Sequence, residues 1–246
     1  MSLRSKCLIG EIALTTCNLT SAAVNGGRTV RRVVSSLKAD QFVTITTLGV
    51  GYFALQIIAN LTVQKPVELF GSLEIPTGSL LYALTFTWVD MVNDRFGPRQ
   101  ATWLVFVTAA FHVFSIIWFN IYILLPFPSD YSGPMTLQSA IELIFGGYFR
   151  IYVSSILTIL IAENINIQVF SFVKLRFPQQ KRYIRSLVSN TFSVPVDAIL
   201  FPTFAFAGII SGAELVVIAL SSLVYKLIVA YISIPLIYLV KDRLRS

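Results

Sequence analysis

The sequence predicts an all-α integral membrane protein of six transmembrane helices, and three observations carry that prediction. Of its 246 residues, 55% are hydrophobic and only 13% are charged, about half the charged share of a soluble domain. The apolar residues gather into six stretches long enough for the roughly 20 helical residues that a bilayer core requires. The basic residues collect in alternate connections between those stretches, as they do where one side of a membrane retains them. Residues 1–40 are expected to form a basic cytoplasmic arm, and residues 41–246 a six-helix transmembrane domain.

The first span, residues 41–65, contains Gly49-x-Gly51-x-x-Ala54, small residues that let another helix approach closely in lipid. Asn60 lies near its far end, where a buried amide needs partners. Residues 66–76 form a short connection with Glu68, Phe70, Gly71 and Glu74. The second span, residues 77–96, stops at Gly97-Pro98 among arginines. Its Thr87, Asp90, Asn93 and Asp94 stand three or four residues apart and share one helix face. A carboxylate in such a segment is costly unless it meets a partner or a water-filled cavity, which makes this face a candidate site. The competing reading has Asp90 and Asp94 capping the helix at the water boundary.

The third span, residues 100–125, holds the single histidine, His112, near its middle. Pro126, Pro128, Gly133 and Pro134 break the chain after it. Residues 137–174 are largely apolar and proline-free, more than a bilayer needs, so this helix is expected to project into the cytoplasm or to bend near Glu163-Asn164-Ile165-Asn166. The fifth span, residues 186–207, carries Asp197 between Pro195 and Pro202. The sixth, residues 213–240, carries Lys226.

Of the nineteen basic residues, all but Lys65, Arg150 and Lys226 fall on one side of this layout. That places both termini in the cytoplasm of a multi-pass protein of the cell inner membrane. It also accounts for the net charge of +7 without a nucleic-acid partner. Arg150, Asp197 and Lys226 each lie about a dozen residues into their spans, near the bilayer midplane. An unpaired charge there costs roughly 3 kcal/mol, so the three are expected to face one another. Either they lock helix packing as a neutralising network or they line a polar ligand cavity. The prolines around Asp197 tilt the balance to the second, because a broken helix frees carbonyls for a ligand. Glu163 is expected nearer the cytoplasmic boundary and Glu142 nearer the outer one. Cys7 and Cys17 form no CxxC pair, His112 has no companions for a triad or zinc cluster, and no glycine-rich phosphate loop is present. The reading contains no catalytic residue, metal or cofactor.

These residues resemble a known family, the queuosine precursor transporters, also called vitamin uptake transporters. The resemblance runs from about residue 56 to residue 238. It is carried by Ala59-Asn60-x-x-Val63, Val67-Glu68-Leu69-Phe70-Gly71, Asp90-x-x-Asn93-Asp94-x-Phe96-Gly97, Arg150, Arg185, Ser189, Asp197-x-x-x-Phe201 and Lys226. The family usually has Glu and Tyr where this chain has Asp94 and Phe96, and Ser-Gln with an aliphatic residue where it has Ser193-Val194-Pro195. The resemblance implies an importer of 7-deazaguanine bases used in tRNA modification. Its fold would be similar to the six-helix substrate-binding components of energy-coupling-factor transporters. On that reading Asn60 and Glu68 form an outer rim, and Asp90, Asn93, Glu163 and Asp197 contact the base. Asp94 lies beside them, and Arg150 and Lys226 balance charge. The partners are a deazapurine and the lipid bilayer, with an energy-coupling module and a homo-oligomer both open. Two other readings are a substrate-binding subunit for another vitamin, driven by an ATPase module, and a non-transporting membrane scaffold.

Overall fold

A computed structural model describes residues 41–63, 65–69, 73–126 and 136–240. The basic arm expected over residues 1–40, the turn over 127–135 and the tail residues Lys241, Arg243 and Arg245 lie outside the described residues. The chain divides into two units, residues 1–47 and 48–246, and residues 41–47 are the opening turns of the first helix.

The elements run α1 (Gln41–Thr62), β1 (Pro66–Leu69), β2 (Leu73–Pro76), α2 (Thr77–Phe96), α3 (Pro98–Leu124), α4 (Thr136–Gly146), α5 (Tyr148–Arg176), α6 (Arg182–Phe206) and α7 (Gly212–Ser233), then a 3-10 segment η1 (Ile234–Leu239). The protein is an all-α membrane protein. Among the described residues, five stretches are long and apolar enough to cross a bilayer: α1, α3, α4 with α5, α6, and α7 with η1. Helix α2 has the length, but Asp90, Asn93 and Asp94 make it less apolar than these.

Its burial explains how it tolerates them. Thirteen of the 20 residues of α2 are buried, against five of the 27 in α3. Helix α2 packs on α3, α5, α6, α7 and η1, so its polar face meets protein rather than lipid. Helix α3 instead turns Trp103, Phe106, Phe114 and Trp118 outward, the apolar exterior that hydrocarbon demands.

The glycine face of α1 packs as its small residues predicted. A Cβ on Gly51 would stand 2.5 Å from the Trp88 ring, and the Trp88 indole N–H donates to the Leu48 carbonyl at 2.8 Å. At Gly78 of α2 a Cβ would fall 1.9 Å from the Ala59 carbonyl oxygen, where backbone meets backbone and no side chain can yield. Gly78→Ala is therefore expected to lower stability by about 1–3 kcal/mol. Gly146→Ala, which meets nothing within 4 Å, should leave the melting temperature of the purified protein unchanged or slightly raised.

The connection after α1 is an antiparallel hairpin, with Val67 opposite Ile75 and Glu68 opposite Glu74. Thr77 closes it, donating to the Lys65 carbonyl from both its amide (3.0 Å) and its hydroxyl (2.7 Å). Helix α2 stops at Gly97, whose φ of 95° favours a residue without a Cβ, and Pro98 opens α3 where its missing N–H costs nothing. Ser211 and Glu214 form a capping box at the start of α7.

Two expectations are corrected. The long helix does not bend near Glu163–Asn166; it is interrupted at Gly147, between α4 and α5. Adjacent Gly146 and Gly147 each cost a helix about 1 kcal/mol relative to alanine, whereas Glu163 and Asn166 are held by partners on α2. Nor is α6 broken at Pro195 or Pro202, for it runs through both. Packing against α5 and α7 along its length holds it together despite the deleted backbone bonds.

Candidate functional site

A ladder of buried polar groups runs along one side of α2 from Ser79 to Asp94. At 1.5 Å per residue it extends about 22 Å, most of the thickness of a hydrocarbon core. Helices α5, α6 and α7 supply the partners, so each rung is a meeting of separate elements.

The first rung is a partly open cleft lined by Ala59, Asn60, Val63, Gly78, Ser79, Tyr82, Phe201 and Lys226, with room for little more than one water molecule. It is narrow, so a bicyclic base would fill it only as these side chains part. Lys226 forms its charged wall. Its ammonium donates to Asp197 Oδ2 at 2.6 Å, with both side chains at most 2% exposed. The same ammonium lies 5.3 Å from the centre of the Tyr82 ring and 5.5 Å from that of Phe201, where ring quadrupoles favour a cation. The second oxygen of Asp197 and the Tyr82 hydroxyl have no partner within 3.5 Å, and the phenol makes a longer hydrogen bond to the Asp197 carboxylate. Asn60 approaches His112 Nε2 at 3.4 Å from α1, and His112 packs edge-on to Tyr152.

The second rung is Glu163, fully buried on α5. The Thr85 hydroxyl donates to its Oε1 at 3.0 Å, the Tyr52 hydroxyl of α1 also hydrogen-bonds the carboxylate, and no donor lies within 3.5 Å of Oε2. The third is Asp90, which accepts from Asn166 Nδ2 (2.8 Å), Ser186 Oγ (2.5 Å) and Ser189 Oγ (3.2 Å). Ser193 continues this network by donating to Asn166 Oδ1 at 3.1 Å. A turn further on, Asn93 donates to the Ile167 carbonyl (3.0 Å) and accepts from Ser171 (3.1 Å).

The last rung is Asp94, with three cations around a carboxylate that is wholly buried. Lys174 Nζ lies 3.0 Å from Oδ1, Arg182 Nε 2.5 Å from Oδ2, and Arg185 Nη1 3.5 Å from Oδ1. Arg182 also donates to the Val240 carbonyl, and Arg185 to that of Pro178. Asp94 thus ties α2, α5, α6 and the end of η1 together.

The expected triad of Arg150, Asp197 and Lys226 is a pair. Arg150 donates from Nε to the Phe204 carbonyl at 3.0 Å, and from Nη2 to that of Ala207. It caps the C-terminus of α6, where unpaired carbonyls and the helix dipole favour a cation. Arg150 stands beside the last turn of α6, about two helical turns beyond Asp197, and so misses it. Glu163 lies midway along α5 with its side chain fully buried rather than solvated. Glu142 is exposed and accepts from Gln138. Glu68 has a backbone place on β1, and its side chain lies outside the described set. Among the described residues, no three His, Cys, Asp or Glu side chains are grouped to hold a metal.

Sequence reasoning missed Thr85, Asn166 and Ser186. A signal for part of this was present. Ser186, Ser189, Asn190, Ser193 and Asp197 recur every one to four residues along one face of α6, and all five are buried.

A family model described as "Putative vitamin uptake transporter" matches residues 76–240. The chain belongs to this family. The match takes in every rung from Ser79 to Asp94 and their partners on α5, α6 and α7, while Asn60 and Glu68 precede it. The transporter is also 32% identical to the "Probable queuosine precursor transporter" of Bacillus subtilis (strain 168), over 192 residues that make up 75% of this chain and 79% of that one. No solved structure matches it. It is a transporter of vitamin-like substrates.

Proposed function

We propose that this transporter imports 7-deazaguanine bases, the precursors of queuosine, with the Lys226–Asp197 cleft as the entry to their binding site. The observation that carries the proposal is the buried row of acceptors along α2, beginning at an aromatic-walled cleft. A flat base needs aromatic faces and hydrogen-bonding groups at its edge, and Tyr82, Phe201, Asn60 and Asp197 present that combination. The name of the Bacillus subtilis relative supports the same substrate class. Asp90 and Asn93 lie deeper on the path, Arg150 holds α6 in place, and Asp94 latches the basic end. We place that basic end, and both termini, in the cytoplasm of the inner membrane, following the distribution of Lys and Arg.

The test is uptake of labelled pre-queuosine bases or queuine by cells that cannot synthesise them and express this chain alone. Accumulation above the empty-vector level is expected. Uptake only after an ATPase module is added would reassign the chain as a substrate-binding subunit. Purified protein should melt at a higher temperature with the cognate base, by RT ln(1 + [L]/Kd), or about 2.7 kcal/mol at a hundredfold excess over Kd. A melting curve unmoved by every deazapurine tried would favour the scaffold.

A further inference from the structure

We propose that Glu163 reads the donor edge of the transported base, the ring N–H and the neighbouring exocyclic amino group. The assignment rests on the deazaguanine reading and sharpens it.

It follows from comparing the four buried carboxylates of α2, α5 and α6. Asp94 is surrounded by Lys174, Arg182 and Arg185. Asp197 is neutralised by Lys226 at 2.6 Å. Asp90 receives three side-chain donors shared between its two oxygens. Glu163 differs from all of them. It is 0% exposed, no Lys or Arg pairs with it among the described residues, and the groups that hydrogen-bond it are two neutral hydroxyls, those of Thr85 and Tyr52. No donor lies within 3.5 Å of its Oε2. A buried acceptor without a donor costs about 1–3 kcal/mol, more when charged.

The missing complement is specific in shape. A carboxylate offers two coplanar oxygens, each able to accept more than one bond, so Oε1 can keep Thr85 while both oxygens take parallel N–H donors. A guanine-type base presents such a pair on one edge. Asp197 has a spare oxygen too, but its charge is already answered by the ammonium, so the donors gain more at Glu163. The route is also defined. Tyr82 lines the cleft, its hydroxyl hydrogen-bonds the Asp197 carboxylate, and it lies within electrostatic reach of Glu163. On this proposal the base reaches Glu163 by displacing the Tyr82 ring.

The experiment measures Kd for 7-deazaguanine and for 7-deazahypoxanthine, which lacks the 2-amino group, on wild type, Glu163→Gln and Glu163→Asp in detergent. Wild type should prefer 7-deazaguanine by on the order of 100-fold, since a site built around a donor rejects the analogue lacking it. Glu163→Gln, which puts an NH2 where an acceptor was, should bring that ratio to within about threefold. Glu163→Asp keeps the acceptor pair, so it should weaken both bases and retain the preference; it also carries the test if the Gln variant does not fold. Equal discrimination by wild type and Glu163→Gln overturns the assignment alone. So do wild-type Kd values for both bases in Glu163→Asp. Failure of wild type to bind either base overturns the transport reading, and this one with it.

Discussion

Asp197→Asn and Lys226→Met are each expected to destabilise the protein by about 3–5 kcal/mol, while the double variant recovers most of that loss. The two groups are 2.6 Å apart and at most 2% exposed. Removing one leaves an uncompensated charge in a low-dielectric interior, whereas removing both leaves two neutral side chains. The aromatic neighbours soften the loss on one side only. With Asp197 neutral, the Tyr82 and Phe201 rings still favour the Lys226 ammonium. With Lys226 gone, the remaining carboxylate has neither ring nor cation, so Lys226→Met should be the worse single change. A double-mutant cycle on unfolding in detergent measures the coupling. Uptake should be lost in the double variant although it folds, and normal uptake by it would remove the pair from the substrate path.

Asp94→Asn is expected to cost about as much for the same reason. It leaves Lys174, Arg182 and Arg185 crowded around a neutral amide, with the former carboxylate wholly buried. The loss should be roughly 3 kcal/mol or more, read as a lower melting temperature. Lys174→Met should be far milder, about 1 kcal/mol, because Lys174 is 21% exposed and Arg182 and Arg185 continue to satisfy Asp94. Equal losses for the two substitutions would show that the carboxylate does not hold the three cations together.

Much of this fold was legible in the sequence because bilayer physics is local. A run of apolar residues must be helical wherever it crosses hydrocarbon, so the six expected spans end within four residues of the observed stretches, with α4 and α5 read together and α7 and η1 read together. Inside the fourth, residues 137–174, the helix is interrupted at Gly147. The face bearing Asp90, Asn93 and Asp94 was legible for the same reason, since 3.6-residue periodicity alone places them together. Depth was harder. Counting residues from the start of a span located Asp197 and Lys226 at a common level and failed for Arg150, which stands beside the last turn of α6.

The partners themselves were beyond any such count. The basic loop around Lys174, Arg182 and Arg185 reads as a topology signal, and those side chains also turn inward to Asp94. Glu163 reads as a residue nearer the cytoplasmic boundary, and its side chain is fully buried midway along α5 rather than solvated. The sequence by itself determined that this is a polytopic membrane protein with a polar helix at its heart, because hydropathy and periodicity act along a single segment. Only the tertiary structure decided that Lys226 neutralises Asp197, that Arg150 caps α6 and that Glu163 is left with an oxygen to spare. Those outcomes depend on the rotation and axial shift of separate helices against one another, which packing sets and no single segment encodes.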